Sequence, residues 1–265
     1  MKKIAVVFSF LAIIAILMIG CSKNSSDFTI KKGVLMIGVN IGYPPMEYMA
    51  DDGITFIGFD ISLGKALAEK MGLNAQFVDT AWEGIFAGVN TKKYDCIMSS
   101  VTIIPARIEE HNFSKPYIQN TLAIVMPKNS KYKVSSPKDL AGLGVAYQEE
   151  TTSDSYMTGL AEKGLQFTPY EYDVVLYCFD ELRLGRVDAI MTDLVVAYHY
   201  KNSHDFFDIV WQGGEEELGV CMKKGNDALT EGVNKALDEL FENGTMLKLS
   251  KEFFAGKDLV SAVRR

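Results

Sequence analysis

The segment from Tyr94 to Ser100 reads YDCIMSS, and the segment from Val187 to Asp193 reads VDAIMTD. Each runs from an aspartate through a small residue, isoleucine and methionine to two polar residues. A short run, apolar on both faces and closed by Ser, Thr or Asp, fits a buried parallel strand that ends at a polar edge. Its recurrence restricts the chain to folds that build a similar unit twice.

The surroundings agree. Before the first copy come a strand-like run VLMIGVN and then GYPPMEYMADDGITFIGFD, with Pro44-Pro45 and Asp52-Gly53 as turn signals. DISLGKALAEKMG predicts a helix with Asp60 as its N-cap, Leu63, Leu67 and Met71 on one face, and Gly72 as its stop. AQFVD predicts a strand, AWEGIFAGVNTKKY a second helix and DCIMSS the third strand. The alternation restarts with LGVAYQ, TSDSYMTGLAEKG, FTPYEY, DVVLYCFDELRLGR and VDAIMTD. A helix pair broken at Gly244 follows, its first apolar face made by Leu229, Val233, Leu237, Leu240 and Phe241. Strand–helix alternation of this kind predicts α/β layers with right-handed crossovers. In such sheets ligands sit beyond the carboxyl ends of the strands. Ser99 and Ser100 on one unit and Asp193 on the other fall at those ends; the plainer reading is that polar residues mark where a strand leaves the core.

Residues 1–20 stand outside this pattern. Lys2 and Lys3 precede an uncharged run from Ile4 to Gly20, 17 residues long, and Cys21 and a polar stretch follow. The run is short for a membrane span and suits a signal segment. It resembles a bacterial lipoprotein signal, which implies cleavage before Cys21, a lipid on that cysteine and a tether over 21–27; the family pattern usually has Leu where Met18 stands. An uncleaved anchor and an ordinary signal are the alternatives. All three put the remainder outside the cytoplasmic membrane.

The remainder is globular in composition, 48% hydrophobic and 23% charged over the whole chain. A net charge of -7 lacks the basic face that nucleic-acid phosphates require. Cys96, Cys178 and Cys221 lie in apolar runs and read as buried small hydrophobes, not as a disulfide framework. His111, His199 and His204 lack zinc-site spacing, so no metal or other cofactor is expected.

Thr102 and Arg107 follow the first strand copy within eight residues of Ser99. A guanidinium beside hydroxyls suits a carboxylate, which it binds through two parallel hydrogen bonds. Alone, Arg107 reads more readily as a surface residue paired with Glu109 or Glu110. Thr151, Thr152 and Ser153 open a predicted helix, whose free N–H groups attract anions or are simply capped. Asp193 suits an ammonium group. A carboxylate site close to an ammonium site describes an α-amino acid.

Seven motifs carry a resemblance: YPPMEY, GFDISLGKALAEKMG, YDCIMSSVTIIPAR, FSKPY, ETTS, GRVDAIMTD and ENGT. In this order and spacing the chain resembles the bacterial extracellular solute-binding proteins of polar amino acid ABC transporters over nearly all of the mature sequence. The resemblance implies a two-lobe, type II periplasmic-binding-protein-like α/β fold, each lobe a mostly parallel sheet flanked by helices. Lobe 1 is expected over 28–121 and 219–265, hinge strands over 122–127 and 213–218, and lobe 2 over 128–212. It implies a monomer that closes on a polar amino acid and delivers it to an ABC permease while held to the membrane through Cys21.

By family position Arg107 clamps the α-carboxylate with Thr102 and Thr152, and Asp193 takes the ammonium with Ser100 nearby. Tyr43 and Trp82 sandwich the ligand's side chain, while Asn40 and Gln148 face its tip. Both tip residues are neutral, which favours an uncharged polar side chain. Glu150 stands where the family usually has Gly, which puts the role of Thr151 in question, and Ile104 replaces a usual Thr before Pro105. The rival functions are an amino-acid-sensing ectodomain and, further off, a dehydratase-like enzyme on the same scaffold, which requires an acid or base in the cleft.

Overall fold

The computed structural model describes residues 28–264. The signal segment, Cys21 and the tether lie outside the described residues. The chain first lays down β1 (Val34–Val39), the short hairpin β2 (Tyr48–Met49) and β3 (Phe56–Ile57), α1 (Phe59–Lys70), β4 (Asn74–Asp79), α2 (Trp82–Asn90), β5 (Cys96–Ile97), α3 (Pro105–Glu110) and β6 (His111–Phe113). The long strand β7 (Ile118–Pro127) leads to β8 (Gly144–Gln148), α4 (Thr152–Glu162), β9 (Thr168–Tyr172), α5 (Val175–Arg183), β10 (Ala189–Asp193) and α6 (Leu194–Ser203). A second long strand, β11 (Phe207–Leu218), returns to β12 (Cys221–Lys223), α7 (Asp227–Glu242) and α8 (Thr245–Phe253).

Two five-stranded sheets result, in the orders β4-β1-β5-β12-β6 and β9-β8-β10-β7-β11. Three strands of each run parallel, as expected, and the remaining pairings are antiparallel. The two sequence copies occupy matching places. β5 lies between parallel β1 and antiparallel β12, and β10 lies between parallel β8 and antiparallel β7.

Burial follows the apolar pattern. Leu35, Ile37 and Val39 on β1 and Leu63 and Leu67 on α1 share one core, and Cys96, Cys178 and Cys221 are buried free thiols. The second helix, despite two glycines, is fixed by packing: Tyr94 is buried beneath it and donates its hydroxyl to Ile85 O. A Cβ at Gly38 or Gly88 would overlap the Tyr94 ring, so these glycines let β1 and α2 close on it. That packing sets where Trp82, the first residue of α2, points.

Two local expectations are corrected. Asp60 is not an N-cap: α1 begins at Phe59 after Gly58, and the Asp60 carboxylate turns inward to accept from the Ser100 N–H (2.8 Å) and the Tyr117 hydroxyl (3.0 Å). The segment 194–203, for which no element was predicted, is the helix α6. The break at Gly244 occurs where expected, with φ at 80°.

β7 and β11 pair antiparallel from Ile118–Leu218 to Pro127–Phe207. Leu122–Val125 are bonded on both sides, to β10 and to β11, so this stretch is the middle of the second sheet. The links to the first sheet come just outside it: Tyr117 N–H donates to Leu218 O, Ile103 N–H to Glu217 O and Gly219 N–H to Val101 O.

Candidate functional site

The carboxyl ends of β1 and β5 face those of β8 and β10 across a cleft. A cavity there is lined by Asn40, Tyr43, Trp82, Ser99, Ser100, Thr102 and Arg107 from the first sheet's side, and by Gln148, Thr151, Thr152 and Asp193 from the second. All eleven residues predicted to hold a ligand therefore meet at one place. Glu47 is the twelfth lining residue. Hydrogen bonds cross the cleft around this cavity, from Trp82 Nε1 and Arg107 to Glu150 O and from Gln148 Nε2 to Asn40 Oδ1. The structure is thus a closed form.

Arg107, on α3, lies over two adjoining rings, its guanidinium carbon 5.5 Å from the Trp82 ring centroid and 5.1 Å from that of Phe86. Its guanidinium donates to Thr102 O at 3.2 Å and, across the cleft, to Glu150 O at 3.5 Å. Burial lowers its pKa, yet the group stays charged. A half-buried guanidinium whose N–H groups point at carbonyls beside a cavity is a receptor for an anion.

Asp193 ends β10, buried, and accepts from the Tyr43 hydroxyl. Burial raises its pKa most, and the nearby Glu216 carboxylate raises it further; Tyr43, Asn120 and Arg107 act in the opposite direction. Glu216 sits on β11, accepting from Thr152 and, at 3.1 Å, from Asn120 Nδ2. An ammonium group in the cavity would reverse the balance by favouring both charged carboxylates.

Hydroxyls fill the remaining wall. Ser99 Oγ accepts from the Asn40 N–H (2.9 Å) and donates to Glu47 Oε1 (2.8 Å). Ser100 adopts φ 52°, which turns its N–H onto Asp60 and leaves its own Oγ buried with no hydrogen-bond partner among the described residues. Glu47 Oε2 is likewise buried and unpartnered. Burial, then Asp60, push the Glu47 carboxyl well up, and burial pushes Asp60 up to about 7. Unpaired buried polar atoms are costly unless a ligand satisfies them.

At the head of α4 the plainer reading holds for Thr151: it is the N-cap, accepting from Asp154 N–H and donating to Gln148 O (2.7 Å). Glu150 adopts φ 58°, the conformation glycine would supply, so the loop shape survives the substitution. Its carbonyl also accepts from Trp82 Nε1 at 3.1 Å. Ile104 begins α3 without a side-chain cap.

Sequence reasoning missed two acids. Glu47 lies in the YPPMEY turn, where no periodicity marks a buried face. Glu216 lies within EEE, which reads as solvated; only its alternation along β11 distinguishes it.

A cleft of this kind between two α/β lobes joined by paired strands defines a type II binding protein. The comparisons agree: the profile of bacterial extracellular solute-binding proteins, family 3, matches residues 35–256. The chain is 29% identical over 226 residues to the L-cystine-binding protein TcyJ of Escherichia coli (strain K12), covering 84% of each chain. Two solved structures are each 33% identical over 84% of this chain. One is an ancestral arginine-binding protein bound to arginine, 99% covered with a TM-score of 0.80. The other is an ancestral amino acid-binding protein, a precursor of cyclohexadienyl dehydratase, 95% covered with a TM-score of 0.76. The chain belongs to the bacterial extracellular solute-binding proteins of family 3. Membership implies an extracytoplasmic location, and among the described residues no helix is long and apolar enough to cross a membrane.

Proposed function

We propose that the protein captures a free polar L-α-amino acid in the cleft and presents it to an ABC permease, acting as a lipid-anchored monomer that releases its ligand unchanged. The observation that carries the reading is the pair of opposite charges on opposite walls of one closed cavity, Arg107 on the first lobe and Asp193 on the second. Arg107 takes the α-carboxylate, helped by Thr102 and Thr152, and Asp193 takes the ammonium together with the unpartnered Ser100 hydroxyl. Tyr43 and Trp82 flank the side chain; Asn40 and Gln148 stand at its tip. Thr151 serves the site by shaping the head of α4. Four or five charge-assisted bonds of about 1.5–3 kcal/mol each sum to about 6–15 kcal/mol, a range whose upper part covers the roughly 8 kcal/mol of a micromolar complex and the cost of ordering.

The cross-cleft bonds bar the cavity until the lobes part, so binding includes opening and closing about the crossings. We place the pivots at the junctions near Tyr117 and Leu218, where β7 and β11 leave the first sheet, instead of within 122–127. Closure is completed by the bonds from Trp82 and Arg107 to Glu150 O.

Arg107→Ala tests the reading. The variant keeps its fold by circular dichroism and loses amino acid binding about 100-fold or more in calorimetry, the equivalent of one or two charge-assisted bonds. Unchanged affinity refutes the reading. Mass spectrometry of the ligand before and after incubation shows one unaltered mass, and Cys21→Ser abolishes partition of the full chain into detergent.

A further inference from the structure

We infer that the Asn40–Gln148 amide pair is a stop at the side-chain end of the cleft, selecting an α-amino acid whose side chain is short, uncharged and bears a hydroxyl or thiol. This rests on the amino acid reading above. Gln148 Nε2 donates across the cleft to Asn40 Oδ1 at 3.3 Å. Each amide is also tied to the main chain of its own lobe, Gln148 Nε2 to Asp173 O at 2.9 Å and Asn40 Nδ2 to Thr80 O at 3.4 Å. Gln148 is 4% exposed, so swinging it aside would strand buried donors.

The stop lies close to the α-carbon end of the site. The Asn40 N–H is bonded to Ser99 Oγ, and Ser100, the proposed ammonium partner, is the next residue. The amide pair and Asp193 line the same narrow cavity. A long side chain would have to break the amide pair or hold the lobes apart, forfeiting the cross-cleft bonds. A side chain of one or two heavy atoms beyond the α-carbon leaves them intact. Glu47 Oε2, buried and unpartnered in the same cavity, can pair with a hydroxyl or thiol beside Ser99. Burial and the neighbouring Asp60 hold that carboxyl towards its neutral form, so it offers a hydrogen bond and no fixed charge for a cationic side chain.

The test is calorimetry of the full chain with L-serine, L-alanine, L-glutamine and L-arginine, repeated on Gln148→Ala and, as an independent opening of the stop, Asn40→Ala. Serine is expected to bind tightest, ahead of alanine, with glutamine and arginine at least tenfold weaker. Either variant is expected to shift the serine-to-glutamine ratio at least tenfold towards glutamine. Arginine or glutamine ahead of serine in the parent protein, or a ratio unmoved in both folded variants, overturns the length selection alone. Binding of none of the four overturns the amino acid reading and this inference with it.

Discussion

The two lobes share a strand order but not a chemistry. After β5 the chain stays irregular through Ser99, Ser100 and Thr102 before α3 brings in Arg107. After β10 it passes directly from Asp193 into α6. One wall thus offers a cation with loose hydroxyls and the other an acid fixed at a strand end. The duplicated topology sets where a ligand-facing residue can stand, and the few residues after each strand set its charge. Two walls of opposite sign grip both poles of a zwitterion, whereas two identical walls would grip one pole twice.

That contrast can be broken from the second wall. Asp193→Asn keeps a partner for Tyr43 but removes the charge, and calorimetry should show affinity falling about 10- to 100-fold. The parent protein should show a pH dependence that the variant lacks. Asp193 must be ionised to hold an ammonium, while burial and Glu216 favour its proton in the ligand-free cavity. Affinity should therefore fall as pH drops, starting above the ordinary carboxylate range. Binding near neutral pH should release protons, seen as heats that vary with the buffer's ionisation enthalpy. Equal heats in all buffers would contradict this.

A smaller effect concerns the buried acid behind the first wall. Asp60 titrates at about 7 in the folded chain against 3.8 unfolded, so the folded state retains its proton over that range. Stability should fall as pH rises from about 4 to about 7, Asp60 contributing on the order of a few kcal/mol, and the raised Glu47 and Asp193 carboxyls add to the fall. Asp60→Asn keeps an acceptor for Ser100 and Tyr117, and its melting temperature should show a shallower slope between about pH 4 and 7. A variant that melts lower at every pH with the slope unchanged would place the effect elsewhere. The smallest expected change is at Glu150, where a non-glycine residue sits at φ 58°. Glu150→Gly should stabilise by up to ~1 kcal/mol in denaturant melts, the strain relieved less the added backbone entropy, with affinity within about twofold.

Strand-end residues were legible because burial on both faces writes a short apolar run and the polar residue after it stands out, as at Ser99, Ser100 and Asp193. Arg107 was legible as a carboxylate candidate from the hydroxyls beside it, though alone it reads as surface, whereas Trp82 became a site residue only through the resemblance, since alone it reads as core. Asp60 misled because a capping acid and a buried acid look alike before a helix. Glu47 and Glu216 were hidden because a turn and a run of acids carry no burial signal. The helix α6 escaped because its apolar residues, Val195, Val196 and Ala197, are consecutive, which gives no helical period.

The most direct measurement is a crystal structure of the complex with the amino acid that stabilises the protein most in a thermal-shift panel. The α-carboxylate should lie within hydrogen-bonding distance of the Arg107 guanidinium, and the ammonium within the same reach of Asp193, with Ser100 Oγ paired. A ligand bound outside this cleft, or inside it with neither charged group within reach of its opposite, would contradict the two-walled grip.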